Sequence, residues 1–206
     1  MKKIVTYNLE LMTAIFAVVF LLGLWQWAAL SLVQKIALGF ILLFTLHEWE
    51  ESRFPGGFYK IFFSKCPIDP SIREETMHLP VAIYLLVILL LPLALDNVLC
   101  LILIPIVLAL FEGFIHTAGI FIHQLKKPYS PGVTTAWVLF AYALLAISRL
   151  KAQFHPSPST WILGILLMIL SFAIMETRFL KAAGLTPREF QSAMKAHMLT
   201  RLRRKK

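Results

Sequence analysis

Five consecutive residues, His47-Glu48-Trp49-Glu50-Glu51, put one imidazole and three carboxylates at the end of an apolar run from Ile36 to Leu46. Ionisable side chains are rare at the edge of a bilayer and mark sites where they occur. On a helix each residue advances about 100°, so Glu50 lies about 60° from His47 on one side and Glu51 about 40° on the other. All three project towards one face. An imidazole with two carboxylates suits either a metal site or an acid–base site. An overlapping pattern, His47-Glu48-x-x-Glu51, differs from the zinc-protease pattern H-E-x-x-H only in its last residue. Glu51 would then replace the second histidine and Glu48 would be the base. Against that, Glu48 is rotated about 100° from His47.

A second polar line runs down another apolar segment, through Glu112, His116, Gly119 and His123. Relative to Glu112, helical angles put His116 near about +40°, His123 near about +20° and Gly119 near about −20°. Lipid penalises such a stripe, so it should face the interior of a bundle. Gly119 would let a neighbouring helix or a substrate come close. Depth agrees: at about 1.5 Å per residue, His47 lies roughly 9 Å from Arg53, while His116 and His123 lie roughly 15 and 5 Å from Lys126. Glu74, Glu75 and His78 open a further helix at the same side, with Glu74 and His78 on one face, and Tyr129 to Gly132 with Thr134 and Thr135 open another. These helices send their polar groups to one pocket.

The elements that must carry these residues are membrane spans. Apolar residues make up 59% of the 206, well above the share in ordinary globular chains. Several runs approach the length needed to cross a bilayer. The expected fold is all-α: an integral-membrane bundle of six spans near 11–30, 36–53, 78–95, 98–123, 131–149 and 160–180, forming one domain over 1–181. Ser71-Ile72-Arg73-Glu74 resembles a capping box for the third span. Thr186 and Pro187 should start a short helix in a basic tail, 182–206, lying on the membrane surface against anionic headgroups. Cys66 and Cys100 fall on opposite sides and suggest no disulfide framework. The net charge of +9 follows topology rather than nucleic acid. Lys2, Lys3, Arg53, Lys60, Lys65, Arg73, Lys126, Lys127 and the basic residues from Arg178 onward share one side, leaving Lys35, Arg149 and Lys151 on the other. The positive-inside rule then puts both termini in the cytoplasm, in a membrane expected to be a bacterial plasma membrane.

Taken together, His47, Glu50 and Glu51, the later histidine and Tyr129-Ser130-Pro131-Gly132 resemble the HXXEE family of membrane proteins over about residues 36–145. The resemblance implies a downstream histidine on a later span, met here by His116 or His123, and a tyrosine-small-Pro-Gly element before another. This chain departs from the family's frequent asparagine one turn before that histidine: it has Glu112. The resemblance implies a membrane-bound enzyme of unsettled function, with metal dependence the usual suggestion.

The reading is an integral-membrane hydrolase with a cytoplasm-facing pocket and a lipid-like or membrane-associated substrate. His47, His116 and one of Glu50 or Glu51 would hold a divalent metal, zinc first; the other glutamate would activate a water. His123 or Tyr129 would orient the substrate or serve as the acid. Each feature has a structural alternative: a helix end solvated by headgroups and paired with Arg53, a Glu112–His116 hydrogen bond that fixes packing, a plain turn at Tyr129. Rival functions are a proton- or metal-coupled transporter, which would need polar groups in the outer half of the spans, and a non-catalytic scaffold. A likeness of Glu50-Glu51 and Arg53 to the intramembrane CAAX-type endopeptidases is loose.

Overall fold

The computed structural model describes residues 2–204 except 65, 67, 70, 124 and 126, with side chains described up to 197. Lys65, Pro67, Pro70, Lys126, Lys205 and Lys206 therefore lie outside the described residues. Among those described, every regular element is a helix: α1 (Lys2–Thr6), α2 (Asn8–Trp25), a 3-10 turn (Trp27–Ala29), α3 (Leu32–Ser52), α4 (Phe58–Phe62), α5 (Glu74–Ala94), α6 (Leu99–Ile122), α7 (Val133–Phe154), α8 (Pro158–Ala182) and α9 (Pro187–Arg204). Six of them, α2, α3, α5, α6, α7 and α8, are long and apolar enough to cross a membrane.

Helices α3, α7, α6, α8 and α5 pack each on the next, and α5 returns to α3 to close a ring; α2 lies outside it in the α3–α5 groove. The interior is apolar, with Phe40, Phe44, Leu85, Leu89, Ile102, Leu103 and Ile106 almost wholly buried. Outside, Ile162, Leu166, Ile169 and Leu170 of α8 are each more than half exposed. A contiguous stripe of that kind is a liability in water and at home in lipid.

Local chemistry explains where the helices begin. Ser31 Oγ accepts from the Gln34 N–H, and Gln34 Oε1 accepts from the Ser31 N–H, a capping box that starts α3 at Leu32, four residues before the expected Ile36. The first span correspondingly leaves the α-helix at Trp25 rather than Leu30. Ser157 caps α8 with Pro158 at its first position. Thr186 caps α9 as expected, exchanging hydrogen bonds with Glu189. The capping box expected at Ser71 does not form. Arg73 occupies the cap of α5 without a side-chain capping bond, and the Ser71 N–H donates locally to Asp69 Oδ1 at 2.8 Å. Glu74 and Glu75 take over at that terminus, where negative charge favours the helix dipole. Helix α9 is not merely a surface element: Phe190 stacks on Phe62 of α4 at 5.2 Å, within a cluster that includes Tyr59, Phe63, Phe179 and Leu185. Cys66 and Cys100 are free.

Candidate metal centre

The alternation of spans brings the end of α3, the end of α6 and the start of α7 to one side of the bundle, and their polar residues meet there. His47 and Glu51 of α3 and His116 of α6 are buried, with one ligand atom of each within 4.8 Å of the others. His116 Nε2 stands 2.8 Å from Glu51 Oε1, and His47 Nε2 stands 3.6 Å from the same oxygen. Glu112, one turn before His116, adds Oε2 at 3.6 Å from His116 Nε2 and 3.8 Å from His47 Nε2. A tetrahedral ion bound at about 2.0–2.1 Å holds its ligand atoms roughly 3.3 Å apart, and these spacings straddle that value. The contact between His116 Nε2 and Glu51 is close but poorly aligned, so this buried nitrogen has no hydrogen-bond partner among the described residues. A lone pair aimed at a shared centre accounts for both facts.

The tautomer of His47 follows from its other nitrogen. Nδ1 lies 2.9 Å from Thr135 Oγ1. That hydroxyl has one proton, and its two other neighbours, Glu50 Oε2 at 2.6 Å and the Gly132 carbonyl at 3.2 Å, only accept. The hydroxyl must therefore accept from His47, which fixes a proton on Nδ1; in the neutral ring Nε2 is then the bare nitrogen facing Glu51 and Glu112.

Glu50 does not join the cluster. Its carboxylate accepts from the Tyr129 hydroxyl at 2.9 Å, the Thr134 N–H at 3.3 Å and the Thr135 N–H at 2.8 Å, besides Thr135 Oγ1. It thus satisfies the orphan donors at the N-terminus of α7, where the helix dipole favours an anion. The expectation that Glu50 and Glu51 serve one cation is replaced by a division of labour: Glu51 turns inward, and Glu50 clamps α7. Tyr129 belongs to the clamp. Burial first, and then the Glu50 carboxylate it donates to, push its phenol up to about 12, so it stays protonated.

Gly132 lets α7 come this close. It caps α7 at φ +90°, and a Cβ there would stand 2.5 Å from His116 Cε1 and 2.8 Å from Glu51 Cγ. Aromatic rings brace the imidazoles: Phe58 lies 5.0 Å from the His116 ring, and the two histidine rings are 5.0 Å apart at 82°.

A cavity of about 330 Å³ opens from this centre between α4, α6, α8 and α9. His47, Glu51, Glu112 and His116 form its polar end, and Ile115, Ile122, Phe62, Phe172 and Phe179 its wall. Gly119 also lines it and faces open space, as a substrate-side glycine would. His123 is on the wall, apart from the centre, with Nδ1 3.4 Å from Ser64 Oγ. Arg53 pairs with Glu10 at 3.1 Å, not with the acidic motif.

Sequence reasoning missed a second buried chain. His78 of α5 holds Glu48 Oε2 at 2.8 Å through Nε2 and Asn8 Oδ1 through Nδ1. The Asn8 amide donates to the carbonyls of Val5 and Glu75 at 2.6 and 2.7 Å, so its oxygen must accept from His78. The signals were the 100° offset of Glu48 from His47 and the shared side of Glu74 and His78. The lone Asn8 gave none. Glu48 also lines the cavity, as does the buried Tyr59.

No curated protein and no solved structure matches the chain. The family model described as a protein of unknown function with HXXEE motif matches residues 38–147, which run from α3 into α7 and supply every ligand candidate of the centre. With more than half its length matched, the chain belongs to the HXXEE family.

Proposed function

We propose that the chain is a membrane-embedded, metal-dependent hydrolase acting on a lipid-like substrate. The observation that carries this reading is the meeting of His47 Nε2, His116 Nε2 and Glu51 Oε1, all buried, at the polar end of an otherwise apolar cavity. A divalent cation held by them, zinc first, would polarise the bond to be broken and acidify a water. Glu112 reaches both histidines and has the most exposed side chain of the four, so it is placed to take the proton of that water. It would take the role expected of whichever of Glu50 and Glu51 did not bind the metal. Glu50 and Thr135 orient His47, and Tyr129 orients Glu50. Burial, then the charges of Glu48 and Glu51, hold the Tyr59 phenol well above its ordinary range. Tyr59 therefore stays protonated, and its hydroxyl would donate a hydrogen bond to a substrate oxygen rather than give up its proton. His123, on the cavity wall, would meet the substrate's head.

The apolar wall supports a substrate with a hydrocarbon part, reached from the bilayer. Transport is less well supported: beyond the centre the ring interior is filled by Phe40, Leu89, Ile102 and Leu103, which offer a polar cargo nothing. The charge asymmetry supports both termini in the cytoplasm, with the basic tail against anionic headgroups. Reporter fusions at Asp96 and Lys206 test this, and an external Lys206 would reverse it. Elemental analysis of protein purified in mild detergent tests the centre. The parent should carry a divalent metal and His47→Ala should lose it; a metal-free parent would defeat the metalloenzyme.

A further inference from the structure

Besides Glu48, which His78 holds, the cavity is lined by one ionisable residue that the proposed chemistry does not use. Glu176 lies on α8 and itself lines the cavity, on one stripe with Phe172 four residues before it and Phe179 three after it. It is half-buried, and no hydrogen bond or neighbouring charge from the described residues acts on it. Its own helix cannot neutralise it: Arg178 is rotated about 200° from it and Lys181 about 140°. The neighbouring Thr177 hydroxyl is engaged by the Ala173 carbonyl.

The register of α8 against α6 is fixed by the Phe111–Phe172 pair, whose rings are 5.2 Å apart. Both helices run in the same direction, so about 6 Å further along, four residues in each, Glu176 comes level with Ile115 and His116. The carboxylate thus faces the same stretch of cavity as the metal centre, at the same depth. The rings around it are Phe172 and Phe179 on its own stripe, with Phe62 packed on Phe179 at 5.9 Å. A carboxylate in an apolar setting is costly without a partner, and aromatic faces with a carboxylate are the surroundings that favour an ammonium group.

We propose that Glu176, with Phe62, Phe172 and Phe179, is a binding site for an ammonium group on the substrate. The substrate is then a long-chain amphiphile whose cationic amine lies within a few bonds of the bond broken. The assignment of that bond rests on the hydrolase reading; the ammonium site itself does not. It makes Glu176 a specificity residue, because the counter-charge that the described residues do not supply arrives with the correct ligand and not with a neutral one.

Native mass spectrometry of the full chain released from a non-ionic detergent tests this with probes of one chain length: dodecylamine, dodecyltrimethylammonium and dodecanol. The parent should retain the two ammonium probes about tenfold more than the alcohol, as expected for a cation held by a carboxylate and ring faces. Glu176→Gln should abolish the preference. Glu176→Leu, which suits an apolar helix, should do the same and guards against a loss through misfolding. Equal retention of amine and alcohol by the parent, or a preference surviving in both variants, would overturn the proposal. The same spectra report bound metal by mass. A metal-free parent with a Glu176-dependent preference supports the ammonium site while removing the hydrolase, and a metal-loaded parent with no preference does the reverse.

Discussion

Thr135→Val removes one hydroxyl and keeps the shape of the side chain. In the parent that hydroxyl links His47 Nδ1 at 2.9 Å to Glu50 Oε2 at 2.6 Å. Glu50 keeps the Thr135 N–H at 2.8 Å, so its oxygen is still served. The loss falls on His47, whose Nδ1–H becomes a buried donor without an acceptor at a cost of about 1–3 kcal/mol. The ring can escape by moving the proton to Nε2 or by rotating, and either change removes the lone pair from the centre. Loss of a partner that orients a metal-bound histidine lowers metal affinity by about 10–100-fold. Thr135→Ser keeps the oxygen and should bind metal nearly as the parent does. The assay is competition with a chromophoric chelator in mild detergent, with thermal unfolding measured on the same preparations. Parent-like affinity in a folded Thr135→Val protein would refute the argument that this hydroxyl sets the tautomer of His47.

Gly132→Ala should be worse than its size suggests. It puts a Cβ at φ +90° against His116 and Glu51, combining left-handed strain of roughly 1–2 kcal/mol with overpacking of about 1–3 kcal/mol; chemical denaturation and metal titration should both register it. Glu51→Gln and Glu50→Gln should differ in kind. The first should lose metal from a folded protein. The second turns an amide N–H₂ towards the donors at the start of α7 and should lower stability by about 1–3 kcal/mol, with a smaller loss of metal; identical phenotypes would contradict the division between them. Tyr129→Phe removes the phenol that donates to Glu50. Because the folded phenol titrates at about 12, above its unfolded value of about 10, the parent's advantage should be complete below pH 10 and fade as pH rises towards 12. An advantage fading already near pH 8 would point to another group.

The residues of the centre were legible to the extent that one helix sets their directions. His47 and Glu51 are one turn apart, as are Glu112 and His116, so a 100° step already aims each pair inward. Glu50 was misread because about 60° from His47 is close enough for a shared face when nothing else is known. Its true direction is taken by the N-terminus of α7, a partner no local pattern reveals. Glu48, His78 and Asn8 were missed for a related reason. Their meeting depends on the order of helices around the ring, with α5 beside α3 and α2 in the groove between them. Spans and their number follow from composition, but neighbours do not. Thr135 shows the same limit, since an ordinary threonine near a helix start signals nothing until His47 lies beside it. The start of α3 moved from Ile36 to Leu32, and the expected cap at Ser71 gave way to Arg73, because short polar turns chose between competing caps.

The position of the acidic motif at the tip of α3, rather than in its middle, has a consequence for how the protein is made. Its ligands come from α3 and α6, and the clamp on Glu50 from α7. When α3 leaves the ribosome, none of its later partners has been synthesised. An acidic residue at the centre of an isolated span costs about 2.5–3.5 kcal/mol on the insertion scale, and three would oppose insertion of a segment this short. At the end of the helix the same groups can wait among headgroups and water. They are drawn inward only as α5, α6 and α7 arrive, so a nascent chain stalled before Leu99 should be inserted yet lack Glu112 and His116, the α6 half of the proposed centre.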